Sequence, residues 1–181
     1  MNRLIGLFLV MITSPGAAGS ETFFQTVRNP LKFRLFLLKN LPAAAFSGLR
    51  LQSVDEAHCA VSVPFKWFTQ NPFRSTYFAC LSMAAEMTTG VLAMAHIYKR
   101  NPGVSMLVIG NEGKFFKKAT GTTTFRCSDG AVIQAAVEQS IQSGEGQTVT
   151  VRSVGTNAAG EAVAEFSFTW SFKQKTKRAG R

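Results

Sequence analysis

One carboxylate stands in the middle of the longest apolar stretch of this chain. The segment "NPFRSTYFACLSMAAEMTTGVLAMAHIYKR", Asn71 to Arg100, has the periodicity of a single long helix and contains no acid except Glu86. An isolated carboxylate in apolar surroundings is costly unless it is hydrogen-bonded, paired or protonated, so Glu86 needs partners or a chemical task. At the head of the segment, Asn71 and Arg74 gather where a helix start exposes unsatisfied amides, an end that favours negative charge. A proton acceptor combined with such an end distinguishes Glu86 from an ordinary glutamate. The alternatives are a solvent-facing position at a helix edge or an ion pair with Lys114, Lys117 or Lys118.

At 100° per residue, Ser75, Ala79, Ser82, Met83, Glu86, Thr89, Gly90, Ala93 and Ile97 share one face of that helix. Most are small, which lets a backbone or ligand approach closely. Gly90 costs about 1 kcal/mol relative to Ala in mid-helix, so a packing reason is expected for it. Other chemistry finds less support. The two histidines, His58 and His96, fall in a strand and near the helix end and read as satisfied structural residues. Cys59, Cys80 and Cys127 lack CxxC or CxxH spacing, so neither a disulfide framework nor a metal site is predicted, and small buried hydrophobes are the expected role. No glycine-rich phosphate loop precedes a helix, and no cofactor is implied. Lys114, Lys117, Lys118 and Arg126 offer charge for phosphates, or else simply a solvated strand face. Trp67 and Trp170 read as core or interface residues.

The elements that must position these residues follow from the hydrophobic period. A basic amphipathic helix is predicted from Asn29, with Leu31, Leu35 and Leu38 at helical spacing among Lys32, Arg34 and Lys39. It is expected to pack over the domain, a membrane surface being the alternative. "LRLQSV" and "HCAVSVPF" alternate with period two around "DEA" and form an antiparallel pair, with Cys59, Val61 and Val63 on one face. After the long helix, "PGVSMLVIGNEGKFFKKATGTTTFRC" reads as a strand broken at Gly110 or Gly113, a turn near Thr120 and Gly121, and a second strand. "GAVIQAAVEQSIQSG" is a shorter helix capped by Asp129 and ended by Gly144. Finally, "QTVTVRSVG" turns through "TNAAG" into a strand where Ala162, Ala164, Phe166, Phe168, Trp170 and Phe172 alternate, giving one buried face. One long helix against about six antiparallel strands is an α+β arrangement with one core.

Composition agrees with one domain. The chain has 181 residues, 46% of them hydrophobic and 17% charged, which is enough apolar surface to fold and too short for two ordinary domains. Of the formal charge of +10, five cations fall in the last nine residues, "KQKTKRAGR", leaving +5 for the rest. With no interleaved basic and aromatic motif, a nucleic-acid partner is not expected. Residues 1–20 have a basic start, an apolar run from Leu4 to Ile12 and small residues after Pro15, the outline of a signal or an extension, and are set apart from the fold. The expected organisation is residues 1–20 as that segment, 21–173 as the domain and 174–181 as a basic tail.

This element order, with "QNPFRSTYFACLSMAAEMTTGVL" placing an Asn before a helix and a Glu inside it, resembles the hotdog-fold acyl-CoA thioesterases. Within them it is most similar to a poorly characterised branch near the phenylacetyl-CoA thioesterases. The resemblance runs from about Leu41 to Lys173. It implies a hotdog fold, a sheet of about six strands wrapped around one central helix, here with an added N-terminal amphipathic helix. It also implies a hydrolase in which Glu86 acts as general base or nucleophile, Asn71 lies near the water or carbonyl, and the backbone amides of Ser75, Thr76 and Tyr77 polarise the thioester oxygen. Many members carry His-Gly-Gly at the helix entry, where this chain has "FRSTYF". The implied partners are an acyl-CoA or acyl-carrier substrate and a second copy of the chain, as a homodimer or dimer of dimers. The cytoplasm is the implied location, with export or membrane association through the N-terminal segment as the alternative. A non-catalytic acyl-binding or structural dimer is the other reading of the same fold.

Overall fold

The computed structural model describes residues 17–175. Three helices lead the chain: α1 (Ala17–Val27), α2 (Pro30–Asn40) and α3 (Pro42–Ser47). Asn29 starts α2 as predicted, its side chain accepting from the amides of Leu31 and Lys32 while Pro30 takes the first turn. Helix α1 was not predicted, and it begins inside the segment set apart. Phe23, Phe24 and Val27 on α1 are buried, and α1 packs against the long central helix.

The strands are β1 (Arg50–Val54), β2 (Cys59–Val63), β3 (Val104–Phe115), β4 (Thr123–Cys127), β5 (Gln147–Thr156) and β6 (Ala162–Gln174). They form one sheet in the order β1-β2-β4-β5-β6-β3, each pair antiparallel. Helix α4 (Phe78–Ile97) packs against β2, β4, β5 and β6, with α5 (Gly130–Ser143) beside it. This is the hotdog architecture. The core lies between α4 and the sheet, where Leu92, Val61, Phe125, Phe168 and Phe172 are fully buried. Two buried polar contacts fix α4 on the sheet: Thr88 Oγ1 to Ser153 Oγ at 2.8 Å, and Trp170 Nε1 donating to Thr89 Oγ1 at 3.0 Å. By length and composition α4 could cross a bilayer, yet it is the buried core helix of this sheet.

Four local predictions change. Helix α4 starts at Phe78, not at the head of the Asn71 segment. Strand β3 is not broken by a glycine: it runs unbroken to Phe115 and absorbs the irregularity as a register shift between Val108 and Gly110. Asp129 precedes α5 but its side chain does not cap it, because the carboxylate accepts instead from the amide of Arg152 on β5 at 2.7 Å. Helix α2 packs through Phe33 and Leu37, and the leucine stripe chosen from its spacing faces solvent. Gly144 does end α5 in the left-handed conformation, φ 70°.

Candidate active site

The entry to α4 is a short loop organised by one side chain. Asn71 Oδ1 accepts from the amides of Phe73 (3.0 Å) and Ser75 (3.2 Å) and from Ser75 Oγ (3.2 Å), while the Asn71 amide donates to the Ser75 carbonyl at 2.8 Å. Arg74 takes up the tight bend at φ 58°, the left-handed region. The Thr76 amide and hydroxyl both donate to the Ala119 carbonyl, at 2.8 and 3.1 Å, and the Tyr77 amide donates to Thr69 at 2.7 Å. The amides of Ser75, Thr76 and Tyr77 are therefore all committed within the chain. Phe78 and Ala79 supply the first amides of α4 with no acceptor among the described residues.

Above this end lies an open cleft of about 580 Å3 between the loop, the first turn of α4 and the residues that follow β3. Asn71, Ser75, Thr76, Tyr77, Lys117 and Lys118 line it, so most of the predicted residues converge. Its walls are aromatic: Phe73, Phe115 and Phe116 join Tyr77 and Phe78, whose rings meet edge-on with centroids 4.9 Å apart. Those three phenylalanines were not singled out from the sequence, where only "KFF" after an alternating strand hinted at exposed aromatics. The cations differ in availability. Lys117 pairs with Glu161, whose carboxyl is held below the usual range by Lys117 and Asn157. Lys114 lies outside the cleft, 3.7 Å from Glu112. Lys118 has no partner among the described residues and stays free at the rim.

Glu86 does not line this cleft. It sits two turns along α4, roughly 12 Å from Phe78 by helical rise, half-buried on the helix face it shares with Ala79, Ser82 and Met83. No hydrogen bond or ion pair to its carboxylate is found among the described residues, so pairing with Lys114, Lys117 or Lys118 does not occur. Burial alone pushes its pKa up. The reason for Gly90 is now visible: a Cβ there would stand 2.9 Å from Glu86 Oε1 and 3.6 Å from the Trp170 ring. Trp170 holds Thr89, and Thr89 Oγ1 donates to the Glu86 carbonyl at 2.9 Å, which fixes this part of the helix.

The histidines stay apart from this arrangement. His58 lies 3.3 Å from Asp55 at the β1–β2 turn. His96 is buried with Nε2 unpartnered, contrary to the expectation of a satisfied histidine, and desolvation lowers its pKa. The three cysteines are buried and free, and burial raises the thiol of Cys127 to about 11, as it raises that of Cys59. Among the described residues, no three His, Cys, Asp or Glu side chains stand close enough to hold a metal ion.

Comparison with known proteins places the chain. Solved structures of the same fold include a protein of unknown function from Pseudomonas aeruginosa described as a "Probable Thioesterase". It is 20% identical with a TM-score of 0.68, over 81% of this chain and 97% of that one. A mutant thioesterase from the same organism is 14% identical with a TM-score of 0.60, over 80% and 94%. A thioesterase from Haemophilus influenzae is 11% identical with a TM-score of 0.56, over 81% and 92%. At such identities the likeness defines the fold. The chain itself belongs to the family described as a domain of unknown function (DUF4442), whose model matches residues 32–172. No curated protein matches it.

Proposed function

We propose that this protein is a thioesterase acting on an acyl-CoA or acyl-carrier thioester, with Glu86 activating water. The carrying observation is the Glu86 carboxylate itself: unpaired, desolvated, and set over a glycine on the open face of the core helix. A carboxylate raised toward neutrality is suited to accept a proton from water. The free amides of Phe78 and Ala79 replace those of Ser75, Thr76 and Tyr77 as donors to the thioester oxygen, and Asn71 shapes the loop that holds them. The aromatic cleft suits an apolar acyl or aryl group, with Lys118 at its rim for a phosphate.

Within one copy, those amides and Glu86 are roughly 12 Å apart along one helix, whereas a thioester needs both within hydrogen-bond reach. A second copy resolves this. Two α4 helices lying antiparallel about an axis near Ser82 bring Glu86 of each opposite Phe78 of the other, and the small, half-exposed side chains of Ala79 and Ser82 permit the approach. Strand β3 supports such a dimer, since one of its edges is unpaired among the described residues along its full length.

Complementation tests the reading. Glu86→Gln and Ala79→Pro each remove one half of the site, and Pro is tolerated in a first helical turn. Each variant alone should be inactive on a panel of acyl-CoA thioesters, while mixing them with subunit exchange should restore about a quarter of wild-type activity, the share of intact composite sites in random dimers. An inactive wild-type protein would instead leave the non-catalytic acyl-binding dimer.

A further inference from the structure

The exposed side of α2 sets apolar and cationic side chains side by side. Leu31, Leu35 and Leu38 form a continuous stripe, 68%, 57% and 46% exposed, and among the described residues no element covers it. On the helical wheel Arg34 borders the stripe on one side and Lys32 and Lys39 border it on the other, all exposed. From Thr22 to Val54 the chain carries five cations and no acid. Beside α2, toward the edge strand β1, a groove of about 680 Å3 has an apolar floor including Phe33, Leu37 and Leu49, and Arg34 and Arg50 at its mouth. Neither arginine has a partner among the described residues. Arg28 and Lys66 also reach this groove, but they are committed to the carbonyls of Val54 and Phe46.

Charge decides what covers this face. A second copy docked here about a two-fold axis would set Lys32, Arg34 and Lys39 against their own equivalents, so self-association is opposed. Nucleic acid would meet the cations but leave three leucines in water, whereas bases offer them no apolar receptor. An apolar stripe flanked on both sides by long cationic side chains matches a helix lying in a bilayer interface, leucines down and cations reaching the headgroups. The geometry points to α2 as a docking face for an anionic phospholipid surface, with Arg34 and Arg50 receiving headgroup phosphates. This does not rest on the thioesterase reading, because it concerns a different face and uses none of the residues assigned to hydrolysis.

Vesicle co-sedimentation of the full chain tests it. Binding is expected to vesicles containing phosphatidylglycerol in phosphatidylcholine, and to be lost on pure phosphatidylcholine or in high salt. Leu31→Ser/Leu35→Ser/Leu38→Ser leaves every charge in place and should weaken binding tenfold or more, that is by about 1.4 kcal/mol or more. Lys32→Gln/Arg34→Gln/Lys39→Gln should weaken it by on the order of 100-fold. All six positions are exposed, so an unchanged melting temperature separates lost docking from lost folding. If the leucine variant binds as wild type, another segment such as the N-terminal apolar run or the basic tail does the binding, and the proposal fails. It fails equally if binding is indifferent to lipid charge, or if duplex DNA is held as tightly as the vesicles and the leucine variant retains that affinity.

Discussion

Glu86 ties stability to pH through one proton, the same proton the proposed reaction would use. Its folded pKa is raised, so its contribution to stability is complete below the ordinary value of 4.5 and is lost as pH rises through the folded value. Glu86→Gln removes the charge and keeps the shape. Thermal melts should therefore show the variant more stable than wild type at pH 8 and equal to it near pH 4, while its kcat falls about 100-fold or more if Glu86 is the base. His96 runs the other way. Its pKa lies below the ordinary 6.5 because it is buried, although Glu56 and Glu138 oppose the shift and Arg100 adds to it. The unfolded chain takes up a proton first, so stability should decline as pH falls below 6.5, and His96→Met should flatten that decline in melting curves. Asn71 gives up three accepted hydrogen bonds in Asn71→Ala, each with a net worth of about 1 kcal/mol. The melting temperature should drop by roughly 4 °C or more alongside any loss of activity, because the loop itself depends on this side chain.

At the scale of elements, α4 carries both halves of the proposed site and is held by contacts to Ser153 and Trp170 on the sheet. Its internal glycine is where helix propensity and the proposed function conflict. Gly90→Ala should gain about 1 kcal/mol of propensity, but the new Cβ meets Glu86 Oε1 at 2.9 Å and must turn the carboxylate aside. Lower kcat without lower melting temperature is the expected result, and full activity would show that the Glu86 rotamer is immaterial. The loop before α4 shows why boundaries were hard to read. The sequence sets Asn71 before the helix and the first helical amides at Ser75, Thr76 and Tyr77, yet Asn71 captures the amides of Phe73 and Ser75 and delays the helix to Phe78. That delay moves the free amides from the predicted positions to Phe78 and Ala79.

For the whole molecule, the proposed dimer is directly testable. Light scattering should give twice the chain mass or a multiple of it, and a monomer would remove the composite site. A twelve-residue edge strand with Leu107 and Ile109 exposed is a surface that a single copy leaves open. The proposed membrane face lies on α2, so lipid binding and dimerisation should be separable by mutation.

Composition and period by themselves determined the α+β class, the six strands with β6 buried on one face and the core helix with its acid, whereas the hotdog fold entered as a resemblance carried by the element order with Asn71 and Glu86. These features are local or repeat along the chain, and a period of two or 3.6 records which faces are buried. Other features required contacts between residues far apart in sequence. The Ala119 carbonyl took the amide of Thr76, Arg152 on β5 took the carboxylate of Asp129, and the sheet hid a helix that by composition alone could span a bilayer. Spacing likewise could not choose between the two apolar faces of α2. Tertiary packing buried Phe33 and Leu37 and left the leucine stripe outside, because a helix between a sheet edge and solvent can bury only one side.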